Sequence, residues 1–141
     1  MNCRARFLSQ LVSREVSENA NGGRGLFDLA APLGFFSCQF MREVWAPTGT
    51  RTDFSSIPRL PFIWLVLGDR YRKPAAIHDR VYDTHEVPRW VADALLLEMC
   101  TVVDSDIRYR WAVTRAMGKC STWARRHAMW LGVRLFGGSH W

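Results

Sequence analysis

The chain has 141 residues, a formal net charge of +6 and seven tryptophans. That length suits one domain with a real core, and residues 1–141 read as a single domain without repeat, low-complexity segment or linker. The basic excess points to anionic partners: nucleic acid, a phospholipid membrane surface or acidic protein. It is dispersed rather than blocked, so nucleic acid is not the expected one. The most apolar stretches, LPFIWLVLG and MWLGVRLFGG, fall short of the ~20 residues that span a bilayer. No transmembrane segment is therefore expected. The N-terminal MNCRARFLSQLVSREVS lacks the apolar run of a secretion signal. Cys3, Cys38, Cys100 and Cys120 have no metal-knuckle or redox-pair spacing, and Cys100 falls on an apolar helix face. No disulfide framework is expected, which favours a reducing compartment.

In chain order, residues 1–17 alternate loosely through Phe7, Leu8, Leu11, Val12 and Val16. They read as strand, with a short helix as the alternative. NANGGRG is a turn, and Leu26 to Ala31 fits either element. FFSCQFMREVWAP alternates and is rich in aromatic and β-branched residues, which predicts one or two strands. Pro47-Thr48-Gly49 is the next turn. The first third thus predicts a small antiparallel sheet. In TDFSSIP, Asp53, Ser55 and Ser56 are small polar residues before a proline, a composition for an ordered turn in which Ser55 or Ser56 caps nearby N–H groups. The same turn can fold back toward the helices that follow, bringing Asp53 near them. Pro61 to Leu67 predicts a short helix ended by Gly68.

Pro74 to Thr84, PAAIHDRVYDT, predicts a helix with its proline near the start. Pro88 then disfavours helix at Val87, and Pro88 or Arg89 opens a second helix, RWVADALLLEMCTVV. The two form a predicted antiparallel hairpin. His78 and Tyr82 share one face of the first helix, whereas Asp79 points about 100° away. Asp93 breaks an apolar series with Leu96, Leu97 and Cys100. A buried carboxylate needs a partner, and at ~1.5 Å per residue His78 stands level with it across the hairpin. Beyond the hairpin, Asp104-Ser105-Asp106 predicts an N-cap for a helix over 107–117 closed by Gly118. Ser121 starts a last helix ended by Gly137-Gly138. In it Trp123, Met129 or Trp130, Val133 and Phe136 face a core, with Arg125, Arg126 and Arg134 facing away. The expected fold class is α+β: a small N-terminal antiparallel sheet packed on a helical C-terminal half.

Thr52-Asp53-Phe54-Ser55-Ser56-Ile57-Pro58, Ala75-Ala76-Ile77-His78-Asp79 with Tyr82, and Ala92-Asp93 with Leu96-Leu97-Glu98 carry a resemblance, as does the ending Val133 to Gly138 with Trp141. In order and spacing they resemble an uncharacterised family of tailed phages and prophages, a "domain of unknown function" family. The resemblance spans roughly the whole chain. It implies a phage origin and a compact α+β domain, hence a location in the virion or the bacterial host cytoplasm, with other phage structural proteins as partners.

His-Asp-x-x-Tyr on one helix, with an Asp on the next, is also similar to phospholipases A2. That likeness implies His78 as the base that activates water, Asp93 as the carboxylate that orients it, Tyr82 as a hydroxyl behind them and Asp79 as a ligand for calcium. The chain departs from those enzymes in lacking their glycine-rich calcium loop and the disulfides of the secreted ones. TDFSSIP is the one stretch able to stand in for the loop. Three functions are expected from this reading: a virion or tail assembly component with His78, Asp79 and Asp93 locking the hairpin, a calcium-assisted hydrolase of phospholipid or another ester, or a phage protein that binds and inhibits a host factor.

Overall fold

The computed structural model describes residues 3–18, 25–54, 68–106 and 112–136. The described elements of its first half are strands. Strands β1 (Arg6–Phe7), β2 (Ser13–Ser17), β3 (Leu26–Leu29), β4 (Leu33–Ser37), β5 (Arg42–Ala46) and β6 (Arg51–Thr52) form two three-stranded sheets, ordered β1-β4-β5 and β2-β3-β6. All the pairings are antiparallel. Side-chain alternation decides which face of the first sheet is core. Leu33, Phe35 and Ser37 of β4 and Val44 and Ala46 of β5 are buried, whereas Glu43 and Trp45 between them are exposed. Gly34 pairs with Trp45 across the strands. The indole covers it so closely that a Cβ at Gly34 would meet the ring at 2.6 Å. Thr50 donates its N–H to the Pro47 carbonyl at 3.1 Å, closing the predicted Pro47-Thr48-Gly49 turn with Gly49 at φ 83°.

The second half is helical. A 3-10 turn, Gly68–Tyr71, leads into α1 (Arg72–Thr84), followed by α2 (Arg89–Ser105) and α3 (Ala112–Phe136). Pro74 lies in the first turn of α1, where an N–H has no intrahelical acceptor. His85 ends α1 in the left-handed region, φ 52°, and donates its N–H to the Val81 carbonyl at 3.1 Å. Pro88 starts α2 from an extended conformation, its carbonyl accepting from Val91 and Ala92. The core joins Leu33, Phe35 and Val44 of the sheet to Ile77 and Val81 of α1, Leu95, Leu96 and Met99 of α2, and Met129 and Val133 of α3. Helix α1 packs on β4, β5 and β6, and α2 packs on β1 and β4. The α+β class and the helix hairpin are as the sequence predicts, with two small sheets in place of one.

Four expectations are corrected. The last helix is continuous through Gly118 and Ser121. A glycine inside a helix costs only about 1 kcal/mol relative to alanine, less than a packed helix face supplies. Asp104 caps no following helix. It lies in the last turns of α2, buried, accepting the Tyr71 hydroxyl at 2.9 Å. The expected inward face of α3 is partly wrong: Trp123 is 56 % exposed, whereas Arg134, exposed as expected, also reaches Asp93 with its Nη1. Finally, Cys3 and Cys38 form a disulfide. The pairing of Arg6 with Phe36 carries these two residues toward each other, although 35 residues separate them in sequence. The reducing compartment inferred from cysteine spacing therefore loses its basis. The NANGGRG residues before Gly25, Ser55, Ser56, the predicted Pro61 to Leu67 helix and Gly137-Gly138 lie outside the described residues.

One device has no signal in the sequence. Glu98 of α2 accepts the N–H groups of Cys38 and Gln39 at 3.0 and 3.1 Å and the Ser37 hydroxyl at 2.5 Å. Ser37 in turn accepts the Phe40 N–H at 3.1 Å. A single carboxylate thus fixes the connection between β4 and β5 to the helical half.

Cross-linking residues 35 apart lowers unfolded-chain entropy enough to stabilise the native state by about 4 kcal/mol in the loop-closure picture. Denaturant unfolding with and without a thiol reductant measures this. The reduced protein is expected to unfold at lower denaturant, and Cys3→Ser should reproduce the loss without reductant.

Candidate functional site

The chemistry-bearing residues gather where the three helices meet. Helix periodicity puts His78 and Tyr82 one turn apart on α1, with ring centroids 4.1 Å apart. Asp93 of α2 faces them and is 1 % exposed. Its oxygens are divided between two donors. Tyr82 donates its hydroxyl to Oδ1 at 2.5 Å, and Arg134 of α3 donates Nη1–H to Oδ2 at 3.0 Å. The His78 Nε2 lies 3.6 Å from Oδ1, outside the ~2.7–3.2 Å of a well-formed hydrogen bond. The sequence places His78 and Asp93 level across the hairpin, and they are. The short bond to the carboxylate, however, belongs to Tyr82, which the sequence reading sets behind the pair.

Arg89 completes the arrangement. Its Nε approaches the Tyr82 hydroxyl oxygen at 3.4 Å, and its Nη2 donates to the Val133 and Arg134 carbonyls at 3.3 and 2.8 Å. Those carbonyls belong to the last turn of α3, which has no intrahelical donors of its own to satisfy them. Asp93, Tyr82, Arg89 and Arg134 therefore join α1, α2 and α3. Neither arginine was reachable by sequence reasoning. Arg134 is 41 positions from its partner, and no spacing rule connects them.

The electrostatics follow the geometry. Burial pushes the Asp93 carboxyl up, but the polar edges of His78, Tyr82 and Arg134 outweigh it and hold this acid below the ordinary carboxylate range. Burial, followed by the bond to the Asp93 carboxylate, pushes the Tyr82 phenol up to about 12. A second buried acid, Asp104, shows the opposite balance. Burial raises it despite the Tyr71 hydroxyl and the nearby Arg70, Arg126 and Arg125.

Asp79 points from α1 toward the strands instead. Its Oδ2 accepts the Thr52 hydroxyl at 2.5 Å, and Thr52 Oγ1 accepts the Phe54 N–H at 2.9 Å. The TDF turn thus lies against α1 at Asp79, with Thr52 making the contact and Asp53 half-buried next to it. Calcium takes six to eight oxygen ligands. Among the described residues no three His, Cys, Asp or Glu side chains gather to hold a metal ion, and the Thr52 hydroxyl already occupies an Asp79 oxygen. The described donors do not fit the calcium site that the phospholipase likeness implies.

Residues 27–117, from β3 to the start of α3, match a family described as "Protein of unknown function (DUF1353)". No curated protein matches the chain, and no solved structure does.

Substitutions at Asp93 separate its two bonds. Asp93→Leu removes both acceptors from Tyr82 and Arg134 and is expected to cost on the order of 3 kcal/mol. Asp93→Asn keeps an acceptor for Tyr82 but turns an amide N–H toward Arg134, at roughly half that cost. Urea unfolding of the two variants tests the order.

Linkage gives a second test. The folded Tyr82 pKa, near 12, lies above its ordinary value of 10.0, so its contribution is whole below pH 10 and is lost as pH rises toward 12. The loss is on the order of 2–3 kcal/mol, and Tyr82→Phe should flatten it. Asp93 is depressed, so its contribution is whole above its ordinary value of 3.8 and is lost as pH falls further. Unfolding free energies measured across pH should decline on both flanks.

Proposed function

The chain belongs to that family of unknown function, DUF1353, and on that premise we propose that it is a structural or assembly component of a phage virion or tail. In this reading His78, Asp93 and Tyr82 form a clasp within the fold. The observation that carries it is enclosure. His78 is 2 % exposed and Asp93 1 %. A general base must come within ~2.6–3.2 Å of the proton it takes, directly or through one water. An imidazole enclosed this far serves packing and polar satisfaction. Both Asp93 oxygens are moreover held by groups on other helices, which ties the carboxylate to helix docking. The phage assignment comes from the resemblance of the TDFSSIP, AAIHD and AD stretches.

The hydrolase reading has one observation in its favour, the approach of His78 Nε2 to Asp93 at 3.6 Å, in the order that phospholipases A2 use. The two readings part in a single set of measurements. The purified protein is incubated with phospholipid vesicles with and without calcium, and particles from the encoding phage are purified for mass spectrometry. The assembly reading expects no fatty-acid release that depends on His78, no calcium shift in thermal unfolding, and the protein in particles or their assembly intermediates. Release abolished by His78→Ala, or absence from every particle fraction, would reject it. His78→Ala itself is expected to lower stability by about 2 kcal/mol through the void it leaves.

A further inference from the structure

The Cys3–Cys38 disulfide joins two segments that are held very differently. Cys38 lies in the connection between β4 and β5, and that connection is fixed without the disulfide. The Cys38 and Gln39 N–H groups donate to Glu98 Oε1 at 3.0 and 3.1 Å, and the Ser37 hydroxyl donates to Glu98 Oε2 at 2.5 Å. Cys3, by contrast, is exposed. Among the described residues, the disulfide and a contact of the Cys3 sulfur with Met41 Sδ at 3.7 Å are the covalent or polar ties from residues 3–5 to another element. One end of the bond is anchored by α2, the other by the bond itself.

The residues that follow show where firm attachment begins. Strand β1 pairs with β4 over Arg6 with Phe36 and Phe7 with Phe35, well short of the about five or six residues of an ordinary strand. Ala5 and Phe7 are partly buried against the core, with the Phe7 ring 5.1 Å from that of Phe35. From Leu8 onward each residue is bonded. Leu8 donates its N–H to the Gly34 carbonyl at 2.8 Å. Ser9 Oγ donates to the Pro32 carbonyl at 2.8 Å and accepts the Gly34 N–H at 3.0 Å. Gln10 accepts from Lys73 at 2.7 Å. The boundary between lightly and firmly held chain thus falls at Phe7. In the order β1-β4-β5, β1 is the edge strand that covers β4. Without its covalent tie so short a strand opens locally at low cost, and the ladder groups of Phe35 and Phe36 become the sheet edge.

We propose that the Cys3–Cys38 disulfide is a redox-sensitive latch whose reduction frees residues 3–7 from the edge of β4 and leaves the rest of the fold in place. The exposed Cys3 sulfur is the point of attack for a thiol reductant. A thiolate of the reductant bonds to Cys3 Sγ and displaces Cys38 as its thiolate, and a second thiol of the reductant then breaks the mixed disulfide and releases Cys3. Two electrons pass to the protein, two protons end on its two sulfurs, and the reductant leaves as a disulfide. Glu98 keeps the Cys38 backbone in position, so oxidation restores the bond when Cys3 returns. This device stands apart from the role of the His78 clasp.

The test uses the full chain without denaturant, oxidised or reduced with dithiothreitol. Arg4 and Arg6 are exposed and supply trypsin sites within the freed segment, and hydrogen exchange reads that segment and the core together. Reduction is expected to speed cleavage after Arg6 and exchange over residues 4–7 about tenfold or more. Exchange from Leu8 to Gln10, in β5, and in α1 and α2 should stay as it was. Cys3→Ser should match the reduced wild type and ignore the reductant. Removing dithiothreitol under air should return the wild type, and not the variant, to the slow rates. Equal rates in oxidised and reduced protein would overturn the proposal, because packing alone would then hold β1. Loss of protection spreading to β5, α1 or α2 on reduction or in Cys3→Ser would overturn it as well, since the bond would then be a staple of the whole fold. So would a reduced protein that does not regain the slow rates on oxidation.

Discussion

The helical half depends on one buried anion. Taking a carboxylate out of water costs several kcal/mol even after relaxation, and Asp93 is offset by neighbours from two other helices. Tyr82 from α1 and Arg134 from α3 each bond one oxygen, and His78 adds the edge of its ring. Each helix can dock only where it meets that carboxylate, so the anion fixes the axial register of all three. Arg89 extends the same logic to the end of α3 by satisfying carbonyls that the helix itself leaves open. Such a centre confers little net stability when complete and a large penalty when broken. That asymmetry selects one packing over its alternatives.

The adjacent pair His78-Asp79 acquires its meaning from the directions its two side chains take. His78 turns into the helix junction, while Asp79 turns to Thr52 at the end of β6. One helix thereby holds both halves of the fold with successive residues. Glu98 provides a second such link, from α2 to the connection between β4 and β5. Through Asp79 and Glu98, carboxylates of both helices complete hydrogen bonds to the strand half.

Asp93 and Asp104 show how far environment decides the state of an acid. Both lie on α2 and both are buried, and Tyr82 and Tyr71 respectively donate a hydroxyl to them. Asp93 also receives a direct bond from Arg134, and its carboxyl is held down. Asp104 has Arg70 no closer than 4.0 Å, and burial prevails. His78 and the direct guanidinium bond, neither of which Asp104 has, together with Tyr82 reverse the balance; a charge-assisted bond is about twice as strong as a neutral one.

Local pattern was sufficient for the elements. The period-two alternation through Phe35 and Val44, the helical spacing of Ile77 and Val81 and of Leu96 and Cys100, and the prolines at 74 and 88 establish α+β with a helix hairpin. The hairpin geometry was also enough to set His78 and Asp93 level, since two short antiparallel helices leave little freedom in register. What lay beyond local pattern was every partner chosen across long separation: Arg134 for Asp93, Glu98 for the β4–β5 connection, Cys3 for Cys38. Glycine at 118 failed as a stop signal because its cost of about 1 kcal/mol is smaller than what a continuous packed face returns. Sequence determines which residues need partners, through their polarity and their place in the apolar period. Tertiary structure alone decided which partners they found, because that depends on which helix faces meet once all the chain's apolar surface is buried together.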